Sequence, residues 1–386
     1  MKILFLGLFY DKEGLQQSYE TSCGVQVAPH RFQTLLIHGL RENGAEIQAV
    51  HVLPGPTFLH GHKKLFIKGK RWEKDNYRIG YLNLPFFKQR AQEKKAYREM
   101  KRALTGEYPP ECIVCYYVHL PFLKALQKIK KRFPKVKTVL IMTEAVPGRG
   151  DIVDTPGRKR LGDKMVKLSH TMDGFCLISK HLTTPMEVGE RPYFVLEGLA
   201  DEKALLAGVD GMQKKTFLYT GGVYARFNVD TLIDAFAYLP DATLWLCGRQ
   251  SGLEDRLQNS PNVCHFGEVP FEQVQEYRAK CAYLINPRVP TGTYTRYSFP
   301  SKTMEYLVSG KPTAGYLLEG IGEEYHPYIN LLQGRDAKSL ADDLRKLMDE
   351  DYTRLREKAL QAREFLLREK TSRRQAEKLI EFLKTL

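Results

Sequence analysis

The stretch Arg296-Tyr-Ser-Phe-Pro-Ser-Lys-Thr-Met-Glu-Tyr-Leu-Val-Ser-Gly-Lys-Pro312 sets a cation and a carboxylate three residues apart on what reads as one short helix. The helix opens near Pro300 and is closed by Gly310 and Pro312, with proline in the first turn and glycine past the end as such a helix needs. Its first amides have no intrahelical partners and make an anion site, to which Lys302 adds a formal charge where a diphosphate can sit. Glu305, one turn on, can accept two hydrogen bonds from a ribose cis-diol. Read alone, the same glutamate suits a second role, complementing the helix dipole. Gly221 and Gly222 follow a strand-like run and permit the close backbone approach and positive φ of a phosphate-cradling loop. Gly248, Arg249, Gly267, Glu268 and Val269 close later runs, where ligands gather in open α/β sheets.

These residues need a scaffold, and the apolar periodicity supplies one. In the first half, β-rich runs at 2–7, 46–53, 112–118, 137–143 and 174–179 alternate with helical patterns, the signature of a parallel sheet with crossover helices. Phe32, Leu35, Leu36 and Leu40 mark one helical face, which Glu42-Asn-Gly44 terminates. The pattern restarts with runs at 216–221, 243–248, 263–267, 282–287 and 312–317, separated by amphipathic stretches such as Val229 to Leu239. Two sheets in tandem follow, joined by a polar, glycine-bearing segment between Glu197 and Lys215. After Lys338 the chain reads as charged helices.

With 386 residues, two domains are the natural expectation, and 43% hydrophobic against 27% charged residues excludes a disordered chain. The net charge of +14 lies wholly in the first half, where residues 1–200 hold 33 Lys+Arg against 19 Asp+Glu. Lys63, Lys64, Lys68, Lys70, Arg71, Lys74, Arg78, Lys88, Arg90, Lys94, Lys95 and Arg98 form much of it, a face suited to an anionic membrane or a nucleic acid, or else a solubilising surface. The seven cysteines sit mostly in apolar runs and read as reduced core residues, Cys112 and Cys115 included. No metal-ligand cluster stands out in the sequence, so no metal is expected. Met1 leads straight into a strand-like run, with no signal peptide and no run of 18 apolar residues, which predicts a cytoplasmic protein touching membranes only peripherally.

The Phe-Pro-Ser-Lys302…Glu305-Tyr-Leu…Ser-Gly-Lys-Pro312 signature resembles the nucleotide-sugar site of family 4 glycosyltransferases, in the branch typical of bacterial surface polysaccharide synthesis. Tyr-Thr-Gly-Gly-Val-Tyr-Ala-Arg226, Leu-Trp-Leu-Cys-Gly248-Arg249, His-Phe-Gly267-Glu-Val269 and Leu-Ile-Asn-Pro287 follow in that family's order. Gly24-Val25-Gln26 is similar to its acceptor-side loop, and Tyr-Val-His119-Leu-Pro121 to its strand-end histidine. The resemblance implies an α/β chain of two facing Rossmann-like domains. Residues 1–197 would be acceptor-side, 198–215 a linker and 216–368 nucleotide-sugar-binding, with a C-terminal helix, 369–386, packing back on the first domain.

It further implies a retaining glycosyltransferase without metal or other cofactor, taking a UDP- or GDP-sugar and a glycan or lipid-linked acceptor. Donor contacts would come from Gly221, Gly222, Arg226, Gly248, Arg249, Gly267, Glu268, Val269, Pro300, Ser301, Lys302 and Glu305. Glu305 would bind ribose, and Arg226 the departing diphosphate. His119 would stand beside the donor sugar, and Glu144 in the cleft or against the acceptor. Tyr297 occupies the position of the first Glu of the family's Glu-x7-Glu motif, and only Arg226 remains of the two cations that often follow the glycine loop. Lys302 or Arg296 is the expected compensation. A sugar-nucleotide 2-epimerase would need paired carboxylates and histidines that the sequence lacks. A basic polyanion-binding module would need an aromatic-basic recognition motif, also lacking. No nucleic acid partner is expected.

Overall fold

Lys2-Ile-Leu-Phe-Leu-Gly-Leu8 is apolar on both faces, and it forms the buried strand β1 (Lys2–Leu8) inside a sheet covered on both sides. The computed structural model describes residues 1–20, 25–73, 76–150, 155–201, 212–290 and 292–386. Within them, β1 is followed by β2 (Glu46–Val52), β3 (Phe66–Ile67), β4 (Lys70–Trp72), β5 (Asn76–Arg78), β6 (Tyr81–Leu82), β7 (Cys112–Tyr116), β8 (Lys137–Met142), β9 (Gly174–Leu177) and β10 (Tyr193–Val195). The first sheet runs β10-β9-β8-β7-β1-β2-β5-β4, parallel except where β4 turns back on β5. β3 and β6 pair separately as an antiparallel ribbon.

The second sheet comprises β11 (Gln213–Thr220), β12 (Thr243–Cys247), β13 (Val263–His265), β14 (Cys281–Asn286), β15 (Thr313–Gly315) and β16 (Asn330–Leu331). Its order is β13-β12-β11-β14-β15-β16, parallel throughout. Each sheet therefore has a switch point, between β1 and β7 in the first and between β11 and β14 in the second. Loops leaving adjacent strands in opposite directions open a crevice there, at the carboxyl ends of the strands.

Two units separate by their internal contacts, Met1–Leu199 with Ser372–Leu386, and Ala200–Thr371. The terminal helix Ser372–Thr385 joins the first because its apolar stripe, Ala376, Leu379, Ile380 and Leu383, shares a core with Leu36, Leu40 and the β1 residues Ile3 and Phe5. Helix Val27–Glu42 receives it at Gly39, where a Cβ would lie 2.1 Å from the Ser372 carbonyl oxygen. Just past that helix, Asn43 Nδ2 donates to the Arg373 carbonyl at 2.8 Å.

Every run expected as a strand overlaps one, most of them ending short of the run, while β1, β11 and β14 extend past its bounds. β7 stops at Tyr116 because Tyr117 turns left-handed at φ 60°. β11 starts at Gln213, inside the segment expected to be linker, and residues 202–211 of that segment lie outside the described residues. Cys112, Cys115, Cys176, Cys247 and Cys281 are buried free thiols, and burial pushes Cys112 up to about 12, so it remains a protonated core residue.

Candidate nucleotide-sugar site

The glycines of the second sheet lie where its strands end, and their backbones are laced together there. Gly221 N–H donates to the Cys247 carbonyl at 2.8 Å, Val223 N–H to the Arg249 carbonyl at 2.9 Å, and Gly248 N–H to the Gly267 carbonyl at 2.7 Å. Gly248 has φ +141°, and a Cβ on it would stand 1.9 Å from the Gly221 carbonyl oxygen, so no other residue fits. The loops after β11, β12 and β13 are thus brought together as one shelf. On it Arg249 and Glu268 are exposed and Val269 is half-buried.

Helix Ser301–Val308 docks beside this shelf with Pro300 at its N-cap and no side chain capping its amides. Tyr306, fully buried, holds it in place by accepting a hydrogen bond from Thr220 N–H at the end of β11, at 2.8 Å. Asn286 at the end of β14 donates to Thr303 Oγ1 at 3.4 Å. Glu305 therefore sits at the switch point, largely buried and already engaged by cations. Its side chain is 18% exposed, and Oε2 accepts from Arg278 Nη2 at 2.6 Å and from Lys302 Nζ at 2.9 Å.

Arg278, 1% exposed, reaches up from helix Phe271–Lys280 and also approaches Thr220 Oγ1 at 3.4 Å. The sequence reading missed it. The signal was an arginine one turn after Val274, a charge on the stripe of that helix that faces the sheet. Lys311 of the Ser-Gly-Lys-Pro signature is structural, since its buried ammonium donates to the carbonyls of Ala279 and Cys281 at 2.7 and 2.8 Å, the C-terminus of the same helix.

The cations differ from expectation. Lys302 is held by Glu305, and Arg296 pairs with Glu319 at 3.2 Å, because both carboxylates lie within reach of flexible basic side chains. Arg226 is exposed in the turn Ala225–Phe227, with its guanidinium 4.9 Å from the Tyr224 ring centre and 4.8 Å from that of Phe227. Arg288, at the end of β14 and also unremarked in the sequence, stacks 4.6 Å from the same Phe227 ring. Tyr219 is buried beneath them, and its phenol is pushed up to about 12 by that burial, against the pull of Arg288 and Arg226.

In the first domain, His119 and Glu144 follow neighbouring strands, β7 and β8, and His119 lies at the switch point. It is the N-cap of helix Leu120–Arg132, with Nε2 3.2 Å from Gln92 Oε1 and its ring edge-on to Phe122 at 4.7 Å. Burial, reinforced by Lys88, lowers its pKa to about 3, so the imidazole is neutral at pH 7. Glu144 is exposed. Val25 and Gln26 precede helix Val27–Glu42, and Gln26 N–H donates to Tyr10 Oη at 3.3 Å, which ties this loop to the end of β1. Gly24 lies outside the described residues.

The basic face is narrower than its residue count. Arg78 is 1% exposed and bonded to Asp11 at 2.8 and 3.0 Å, because its strand β5 is covered. Lys70 pairs with Glu13 at 2.8 Å, and Arg71 with Glu99 at 2.6 Å. Ile67 is buried and Trp72 half-buried against His51, so neither projects into solvent. Phe66 does project, at 66% exposure, as do Phe58, Leu59, Phe86 and Phe87. Backbone hydrogen bonds from Phe58 N–H to Asn83 and from Asn83 N–H to Leu65, with the Phe66–Leu82 pairing, bring these segments together. Lys63, Lys68 and Arg90 are exposed around them.

The fold defines a class: α/β chains built of two Rossmann-like domains, each with a parallel sheet and a switch point. Residues 209–364 match the family model "Glycosyl transferases group 1", the segment that holds the glycine shelf, Arg226 and Glu305. That match and the architecture make the chain a glycosyltransferase of GT-B type. No curated protein sequence matches it. Among solved structures it is similar to a sucrose-phosphate synthase from Thermosynechococcus elongatus, with TM-score 0.71, 13% identity, and 100% of this chain and 98% of that one covered. It is also similar to an alpha-glucosyltransferase in complex with UDP-glucose and DNA containing an abasic site, with TM-score 0.63, 12% identity, and coverage of 100% and 99%. A third is AviGT4, a glycosyltransferase involved in avilamycin A biosynthesis, with TM-score 0.56, 13% identity, and coverage of 100% and 97%.

Proposed function

We propose that the chain transfers a sugar, with retention of anomeric configuration, from a UDP- or GDP-sugar to a lipid-linked or glycan acceptor in the synthesis of a bacterial surface polysaccharide. The observation that carries this reading is the Glu305 carboxylate fixed by Arg278 beside a glycine shelf and an uncommitted Arg226, all at the switch point of the second sheet. Glu305 holds the ribose hydroxyls, the amides of Ser301 and Lys302 meet the phosphates, and Arg226 stabilises the charge that develops on the departing diphosphate. The first domain takes the acceptor through the loop at Val25 and Gln26 and the residues His119 and Glu144. His119, neutral, hydrogen-bonds a sugar hydroxyl. The exposed Phe58, Leu59, Phe66, Phe86 and Phe87 beside Lys63, Lys68 and Arg90 support peripheral binding to an anionic membrane.

The test is turnover of UDP- and GDP-sugars in the presence of lipid-linked acceptors, with the product anomer read by NMR. A product with the donor's configuration supports the reading. An inverted product, or none from either donor class, refutes it.

A further inference from the structure

We propose that Arg288 is the second cation of the donor diphosphate site, acting with Arg226 from the opposite side of the switch point. The inference rests on the nucleotide-sugar reading above and adds a residue to it. Arg226 follows β11 and Arg288 follows β14, the two parallel strands between which the strand order reverses. Their guanidinium groups lie 4.8 and 4.6 Å from the centre of one ring, Phe227, while Tyr224 and Tyr294 flank them at 4.9 and 5.7 Å. Stacking on an aromatic face fixes the plane of a guanidinium and leaves its N–H edge turned outward for a bidentate anion.

The two loops are braced against each other, since Asn228, left-handed at φ 62°, donates through Nδ2 to the Pro287 carbonyl at 3.2 Å. Both arginines also act electrostatically on Tyr219, whose Oη donates to the Gly222 carbonyl at 3.2 Å, so both charges lie near the phenol that braces the glycine loop. Among the described residues neither arginine is ion-paired with a carboxylate, whereas Arg296 and Lys302 are. Two like charges held on one ring repel, and an anion with two phosphate groups relieves that repulsion by bonding both. Arg288 thus fills, from the neighbouring strand, the place of the cation missing after the Gly221-Gly222 pair.

The test uses the full chain and its Arg288→Gln and Arg288→Lys variants, titrated with pyrophosphate, with UDP, GDP and dTDP, and with the matching monophosphates. Arg288→Gln is expected to weaken pyrophosphate and the preferred nucleoside diphosphate at least tenfold and the monophosphate less than about threefold, with Arg288→Lys between the two and circular dichroism unchanged. A wild type that binds a nucleoside diphosphate, with Arg288→Gln binding it equally, overturns the inference and leaves the nucleotide reading standing. Pyrophosphate binding that depends on Arg288, with no nucleoside diphosphate bound, sustains the anion site and overturns the nucleotide reading. Binding of neither by wild type overturns both. Should Arg288→Gln fail to fold, Arg288→Lys decides, because loss of the bidentate edge must weaken the diphosphate and unchanged affinity contradicts the inference.

Discussion

Glu305 is both a ligand candidate and a structural partner, and the two roles separate by substitution. Removing its carboxylate leaves the 1% exposed Arg278 guanidinium without its counter-charge, so Glu305→Ala should cost about 3 kcal/mol of stability, read by chemical denaturation. Glu305→Gln keeps the shape and an acceptor and should cost markedly less. Equal stability of Glu305→Ala and wild type would show that Arg278 does not depend on this carboxylate. His51 makes a second prediction. Its ring is fully buried, stacks on Phe9 at 4.3 Å, and contacts the Phe9 carbonyl through Nδ1 at 2.8 Å. Burial lowers its pKa to about 4. Between that value and the ordinary one near 6.5 the unfolded chain binds the extra proton, so stability is full above about pH 6.5 and falls as pH drops toward 4. The loss is on the order of 3 kcal/mol. Denaturation curves at pH 7 and pH 4.5 should lie further apart for wild type than for His51→Gln, and identical pH responses in the two proteins would contradict this role of His51.

At the level of elements, the sequence was most informative where a local rule fixed the backbone. The helix Ser301–Val308 with Pro300 before it and Gly310 after it, the strand runs, and the glycines at strand ends all follow from punctuation and periodicity. Arg278, Arg288 and Tyr306 were not legible as partners of the site, because each meets it only through strand order, and pairing β11 with β14 brings residues over sixty positions apart into contact. The pairings of Lys302 with Glu305 and of Arg296 with Glu319 were not legible for a related reason: a charge in a sequence carries no sign of the carboxylate that will neutralise it. The shelf yields a prediction of its own. Gly248→Ala sets a Cβ against the Gly221 carbonyl at a φ that alanine rarely adopts, so it should lower the melting temperature and weaken nucleotide binding together. Normal melting and binding in this variant would show that the three loops need not approach so closely.

For the whole molecule, the +14 charge belongs to the half of the chain that forms most of the first domain. No helix among the described residues is long and apolar enough to cross a membrane. With Arg78 buried and Lys70 and Arg71 paired, the proposed membrane attraction would rest on the exposed lysines near Phe58, Leu59, Phe66, Phe86 and Phe87, at about 1 kcal/mol each within a Debye length of the surface. Sedimentation with anionic but not neutral liposomes is expected, weakened by salt and by Lys63→Glu with Lys68→Glu, and further by Phe86→Ser with Phe87→Ser. Equal sedimentation with both liposome types, or with neither, would leave the charge as a solubilising surface. The proposed function stands or falls on binding of a nucleoside diphosphate by the second domain through a ribose contact at Glu305. Calorimetric titration of wild type and Glu305→Gln with UDP, GDP and dTDP tests it most directly. The account predicts that at least one nucleotide binds wild type and binds Glu305→Gln at least about tenfold more weakly, the loss of one charge-assisted hydrogen bond. Absence of binding by all three, or equal affinity in a folded Glu305→Gln, would contradict it.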